Sequence, residues 1–319
     1  MASGFLERLA EGPLLCDGGY YLEFERRCLG SYASKIPMGV LDYPEGVLEL
    51  HREFARAGAE VLQAMTWGVR PMEREEELHH AAVKLAREAA GPDRFVAGTL
   101  SPFVYSGQST WAPMTEQQQR DAQAFFEQRV GQQIGAGVDL FIVETFYSVD
   151  EVSLAIPFVK QAGVPAVVTM AYRDSAYTRE GYRPGEAARR LVDAGADVVG
   201  VNCMRPWQTM GPLMYEVRDA VSVPLCAQPT GYELEPGEVF NRPLSRANLW
   251  PQVEPRVVTR FAMAEYTAEA VRMGIDLIGS CCGALPYHVR AMAEAMNKHT
   301  DLPDIDRGYG GRAASQRLF

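Results

Sequence analysis

A single (β/α)8 barrel of the α/β class is the fold predicted for this chain of 319 residues, on three observations. Eight short, β-rich apolar runs recur along it. Longer amphipathic stretches separate them, and no glycine-rich phosphate loop follows any of the runs, DGG at 17–19 being too short to count as one. A doubly wound open sheet is the second choice.

The strand candidates are LLC (14–16), AEVLQAMT (59–66), FVAGTLS (95–101), VDLFIVETF (138–146), PAVVTMAY (165–172), ADVVGVNC (196–203), PLCAQPT (224–230) and DLIGSCC (276–282). Many are continuously apolar, as strands buried on both faces should be. Between them, PEGVLELHREFARAG (44–58) groups Val47, Leu48, Phe54 and Ala55 on one side and ends at a glycine, and LHHAAVKLAREAAG (78–91) ends the same way. A glycine just past the last periodic residue is the usual helix stop. The proline-bearing stretch 231–260 is the longest irregular segment. It lies between the seventh strand and the next helix, which in a barrel is the catalytic face. The expected organisation is one barrel over 1–300 and a C-terminal extension over 301–319, where GYGG interrupts any periodicity.

Apolar residues make up 47% and charged residues 23%, enough for a sizeable core. The formal net charge of −10 argues against a nucleic-acid partner and against docking on an anionic membrane. The opening MASGFLERLAEGPLLCDGG has no continuous hydrophobic region, and no run approaches the roughly 18 apolar residues of a membrane span. The expected location is the cytoplasm, where thiols stay reduced. Six cysteines in such a chain point to metal or catalysis rather than to disulfides.

Three of the six fall at strand C-termini, the catalytic end of this fold. Cys203 closes GVNC after the sixth strand; Cys281 and Cys282 close IGSCCG after the eighth. Three thiolates with a fourth position open are a sound zinc site that admits a substrate. Neighbouring side chains on a regular strand face opposite ways, so Cys281 and Cys282 can share a metal only where the backbone leaves strand geometry, which Gly279 and Gly283 permit. The bland reading is three buried small hydrophobes. Cys16, Cys28 and Cys226 are read as structural. His51, His79, His80 and His288 sit in helical patterns without the HExxH spacing of an imidazole site.

DGG (17–19), LHREFARAGAEVLQAMT (50–66), GVNC (200–203), EPRVVTR (254–260) and IGSCCGALPYHVRAMAE (278–294) together resemble the homocysteine S-methyltransferase family, in particular its betaine–homocysteine branch. The resemblance runs from about Leu14 to Met296. It implies a (β/α)8 barrel, zinc on Cys203, Cys281 and Cys282, and transfer of a methyl group from an onium donor to the zinc-activated thiolate of homocysteine, giving methionine. It also implies that Asp17 and Glu144 hold the amino acid substrate, with Gly18 beside the first. A free thiol is mostly protonated at neutral pH, and a zinc ion would deprotonate it. Displacing a neutral amine or sulfide needs no general acid, in keeping with a site without a catalytic histidine.

Thr66, at the end of the second strand, is a candidate hydrogen-bond partner of the substrate. Asn202 either supports the metal site or caps its strand. Aromatic faces hold onium ions best, and Tyr20, Tyr21, Trp67, Phe146 and Tyr147 lie near the motifs. Where the betaine branch carries tyrosines, this chain has Gly68 and Thr145. These departures point to an altered donor box and to another onium, a sulfonium such as S-methylmethionine included. The betaine branch also has a C-terminal arm used in subunit association, expected here to be absent or much reduced. A homo-oligomer through the barrel surface stays open. Two other readings remain: a zinc hydrolase or lyase on the same barrel, which predicts histidine or carboxylate ligands, and a non-catalytic zinc or thiol sensor.

Overall fold

The computed structural model describes residues 4–30, 37–103, 112–234, 238 and 256–298. The expected 301–319 extension and most of the 231–260 segment lie outside the described residues. Eight parallel strands form the sheet: β1 (Leu14–Leu15), β2 (Val61–Gln63), β3 (Phe95–Leu100), β4 (Leu140–Phe146), β5 (Ala166–Met170), β6 (Val198–Asn202), β7 (Leu225–Gln228) and β8 (Leu277–Ile278). The order is β1-β8-β7-β6-β5-β4-β3-β2, every pair parallel. A parallel bridge between Cys16 and Val61, with Glu60 N–H bonded to Leu15 O at 2.7 Å, joins the two ends. The sheet is therefore a (β/α)8 barrel, as predicted, and each predicted strand contains one observed strand.

The described helices are α1 (Phe5–Glu11), α2 (Tyr20–Arg26), α3 (Gly39–Asp42), α4 (Pro44–Arg56), α5 (Glu75–Ala90), α6 (Glu116–Ala136), α7 (Val149–Gln161), α8 (Pro184–Asp193), α9 (Trp207–Ala220), α10 (Arg260–Met273) and α11 (Pro286–Ala295). None is long and apolar enough to cross a membrane. Their starts and stops follow local chemistry. Thr115 and Gln118 form a reciprocal capping box on α6. Ser148 and Thr259 accept backbone N–H groups at the starts of α7 and α10. The predicted stops Gly58 and Gly91 lie just beyond α4 and α5 at positive φ (107° and 63°). On α4, Val47, Phe54 and Ala55 are buried as expected and Leu48 is only half-buried. Leu50 and His51 complete the inner face.

Alternation along the strands divides the molecule into two cores. Outward residues such as Leu62, Val96, Phe141, Val168, Val199 and Ile278 pack under the helices. Inward residues Leu14, Val61, Ala97, Leu140, Val167, Val198 and Leu277 fill the barrel, and Phe5 and Leu9 of α1 close its lower end. Phe5 stacks edge-on against Phe95 with ring centroids 5.6 Å apart. Towards the strand C-termini the inward positions turn polar and stay buried: Gln63, Thr99, Glu144, Thr169, Asn202 and Gln228. Charged or amide groups here are tolerable only if they bond to one another, and they do.

β6 and β7 approach so closely that a Cβ on Gly200 would stand 1.7 Å from Cys226 O, whereas one on Gly131 in α6 would meet open space. Gly200→Ala is expected to destabilise the barrel by at least about 3 kcal/mol. Gly131→Ala is expected to stabilise it by about 0.5–1 kcal/mol through helix propensity. Urea unfolding followed by circular dichroism checks both, and an unchanged midpoint for Gly200→Ala would contradict the close approach of β6 and β7.

Candidate metal centre and active site

The tail of β7 carries the cysteines of both neighbours. Cys203 N–H donates to Gln228 O (2.8 Å) on one side, and Cys281 N–H donates to Pro229 O (2.8 Å) on the other. Past Asn202 the chain turns through two left-handed residues, Cys203 (φ 55°) and Met204 (φ 60°), a conformation uncommon outside glycine. Past β8 the chain has already left the ladder when it reaches the vicinal pair. Ala284 N–H closes a turn onto Cys281 O (3.2 Å) with Gly283 at φ 91°, the third position where a type II turn needs a positive φ. Gly279 is not in that region, so only Gly283 supplies the freedom expected of the flanking glycines. The period-two objection to the cysteine pair does not arise, because neither residue is on the strand. Gly19 of the DGG loop packs on this turn, where a Cβ would lie 2.7 Å from Cys281 O.

The outcome is three sulfurs within 4.8 Å of one another, with Cys203 Sγ and Cys281 Sγ each 3.9 Å from Cys282 Sγ. Tetrahedral zinc with Zn–S bonds of about 2.3 Å requires S···S separations of about 3.8 Å, so the donor set fits the ion in type and spacing. It is the one cluster of three or more potential ligands among the described residues, and it contains neither histidine nor carboxylate. The S–H groups of Cys281 and Cys282 pull the Cys203 thiol well below its usual range. Their own thiols are pushed up in turn, first by their hydrogen bonds to Cys203 and then by burial and the Cys203 charge. Cys16 and Cys226 are buried elsewhere inside the barrel and Cys28 is exposed, all three outside the cluster.

The three cysteines open on a cavity of about 710 Å³, its mouth included, at the C-terminal end of the barrel. Of the residues predicted for the site, Gly18, Tyr20, Trp67 and Glu144 line it with Cys203, Cys281 and Cys282. Asp17, Thr66 and Phe146 do not. Asp17 is fully buried beneath the surface, where Tyr20 Oη–H (2.5 Å) and Gln63 N–H (2.7 Å) donate to its Oδ2. Burial holds its carboxyl up at about 7 in spite of those bonds. Thr66 turns its hydroxyl to Gln133 Oε1 of α6 (2.9 Å). Phe146 packs outward against Phe126 of α6.

The position of Phe146 has a local cause. The β4–β5 register shifts between Val143 and Phe146, and Thr145 in the gap has φ 65°. This bulge reverses the inward-outward parity, so Glu144 and Thr145 both reach the cavity and Phe146 faces the helices. Glu144 accepts from Gln63 Nε2 (3.2 Å) and Asn202 Nδ2 (2.8 Å). Burial, then the neighbouring Cys203 charge, raises its carboxyl to about 8.

Tyr21 and Trp67 form an edge-to-face wall of the cavity with ring centroids 5.9 Å apart, and Tyr21 Oη–H donates to Trp67 O. Tyr147 does not line the cavity but packs behind the sulfurs, in one apolar cluster with Leu22, Ala171, Cys203, Met204 and Tyr232 against which Cys281 and Cys282 lie. Gln63, Met65, Thr99, Met204 and Ser280 also line the cavity and were not singled out from sequence. Polar residues at inward parity within an apolar run, Gln63 and Thr99, are the signal that marks two of them. The base of the 231–260 segment sits on the catalytic face as expected: Tyr232 bridges Val257, and Gly231 N–H donates to Cys282 O (2.9 Å).

A family model described as homocysteine S-methyltransferase matches residues 14–296. Betaine–homocysteine S-methyltransferase 1 of Danio rerio is 32% identical over 96% of this chain and 79% of its own length. S-methylmethionine–homocysteine S-methyltransferase of Rattus norvegicus is 35% identical over 96% of this chain and 85% of its own. The metallated form of the Escherichia coli homocysteine methyltransferase superposes with a TM-score of 0.71, covering 90% of this chain and 98% of that one at 20% identity, and so supports the barrel. The matched segment spans every strand and all three sulfurs of the cluster, and the chain belongs to the homocysteine S-methyltransferase family.

Proposed function

We propose that this methyltransferase moves a methyl group from an onium donor to the thiol of homocysteine, giving methionine, at a zinc centre held by Cys203, Cys281 and Cys282. The observation that carries the reading is that the three sulfurs and the buried carboxylate of Glu144 line one cavity. An all-sulfur ligand set also speaks against the hydrolase or lyase reading, which called for histidine or carboxylate. Zinc bound there would supply Lewis acidity that lowers the pKa of an incoming thiol.

The chain's own residues do the rest. Glu144 faces the acceptor and pairs with its ammonium group. Asp17 acts one layer below, holding Tyr20 and the β2 backbone at Gln63 in place. Tyr21, Trp67 and Tyr20 present aromatic faces to the cationic donor. The reaction forms a bond between the thiolate sulfur and the methyl carbon. The donor's C–N or C–S bond breaks with its electron pair going to the leaving amine or sulfide, which departs neutral and needs no proton. The thiol proton leaves to solvent. The two vertebrate relatives are named for betaine and for S-methylmethionine, and both are onium ions. Of the two departures from the betaine branch, Gly68 does not line the cavity and Thr145 does, with a small side chain that leaves room for the bulkier sulfonium.

Two outcomes follow. Cys281→Ala, assayed for bound zinc after dialysis and for methionine formed from homocysteine with a panel of ammonium and sulfonium donors, is expected to lose metal and turnover together; full activity in the metal-free variant would refute the reading. Trp67→Ala is expected to raise the donor KM about 2–30-fold, the worth of one cation–π contact, with the homocysteine KM little changed. Steady-state kinetics in both substrates checks it, and an effect confined to homocysteine would place Trp67 at the acceptor instead.

A further inference from the structure

Both oxygens of Glu144 are gripped by amides from other strands. Gln63 of β2 donates to Oε1 (3.2 Å) and Asn202 of β6 donates to Oε2 (2.8 Å). Asn202 is saturated. Its Nδ2 also donates to Thr145 Oγ1 (2.8 Å), and its Oδ1 accepts from Thr145 N–H (2.9 Å) and Thr169 Oγ1–H (3.0 Å). One side chain therefore holds the carboxylate and also the left-handed residue that follows it, whose N–H the bulge has released from the sheet. Gln63 is anchored from both ends as well. Its N–H donates to Asp17 Oδ2 (2.7 Å), and its Oε1 accepts from Gln228 Nε2 (3.4 Å). Asn202 directly precedes the ligand Cys203, and Gln228 O receives the Cys203 N–H. The clamp and the sulfur cluster thus share a backbone frame.

We propose that Gln63 and Asn202 are positioning residues that aim Glu144 at the amino group of the acceptor, so that the chain selects amino-acid thiols over thiols of the same length without the amine. A carboxylate on a bulged strand could otherwise rotate towards the free thiols or fold back to the barrel wall. Two amide donors on separate strands fix its plane, and hydrogen bonds to a charged group are the stronger kind. The inference rests on the reading of Glu144 as the ammonium's partner.

The test compares homocysteine with 4-mercaptobutanoate, which is homocysteine without its amino group, as the ratio of their kcat/KM values in zinc-loaded enzyme. Glu144→Gln is expected to lower the preference for homocysteine by about tenfold or more. Gln63→Met, which keeps the backbone and the volume, and Asn202→Ala are each expected to lower it about fivefold or more, the loss in kcat/KM falling more heavily on homocysteine than on 4-mercaptobutanoate. In the Glu144→Gln background neither is expected to lower it further, because both act through that carboxylate. Should Asn202→Ala not fold, Gln63→Met decides the outcome. A preference unchanged in Gln63→Met while Glu144→Gln abolishes it would overturn the positioning roles, as would an equal loss on both thiols. A preference unchanged in Glu144→Gln would overturn the reading of Glu144 and the proposal with it. Further loss from Gln63→Met in the Glu144→Gln background would show that Gln63 touches the acceptor itself.

Discussion

Gln228, the last residue of β7, and Pro229 just beyond it bear the site. Their carbonyls take the N–H groups of Cys203 and Cys281, which arrive from the strands on either side. Parallel pairing of β6, β7 and β8 is what converts a separation of 79 residues between Cys203 and Cys282 into sulfurs in van der Waals contact. The left-handed turn at Cys203 and Met204 and the Gly283 turn after Cys281 then rotate the thiols inward. Strained backbone of this kind persists only where the surroundings over-determine it. Here the surroundings are a rigid ladder with no freedom to relax.

Above the apolar filling, the barrel carries a layer of buried amides, hydroxyls and carboxylates. Gln63, Glu144, Asn202, Thr169 and Gln228 satisfy one another across β2, β4, β5, β6 and β7. Such a network is costly when incomplete and rigid when complete. It explains how two carboxyls, Asp17 and Glu144, are kept buried in the barrel, the second beside a Cys203 charge that raises it further. Each is hydrogen-bonded from two or more sides, and burial is still the larger influence on both. A cation entering the cavity, whether metal, ammonium or onium, opposes the burial that holds these carboxyls up and favours their charged form. Neutral His51 and His288, pushed down by burial to about 3 and about 4, add no opposing charge.

Much of this was legible in sequence because parallel strands buried on both faces read as continuous apolar runs. AEVLQAMT and DLIGSCC marked β2 and β8 even though only Val61–Gln63 and Leu277–Ile278 are paired. The cysteine cluster was legible because strand ends on this fold face one side. What was not legible depends on deviations from regular geometry. The bulge at Glu144 and Thr145 reverses parity, so Phe146 leaves the cavity and Thr145 enters it, and nothing in VETF announces that. The hydroxyl of Thr66 goes to Gln133, a residue 67 positions away on α6, a pairing that the sequence does not announce. Asp17 was placed by its motif but not by its depth, which Tyr20 and the β2 backbone set.

The most direct measurement is zinc K-edge X-ray absorption on the purified, zinc-loaded protein, before and after homocysteine is added. Three sulfur neighbours at about 2.3 Å, rising to four with the amino acid thiol, are what the convergence of Cys203, Cys281 and Cys282 predicts. A first shell dominated by nitrogen or oxygen, or a sulfur count that homocysteine leaves unchanged, would contradict it.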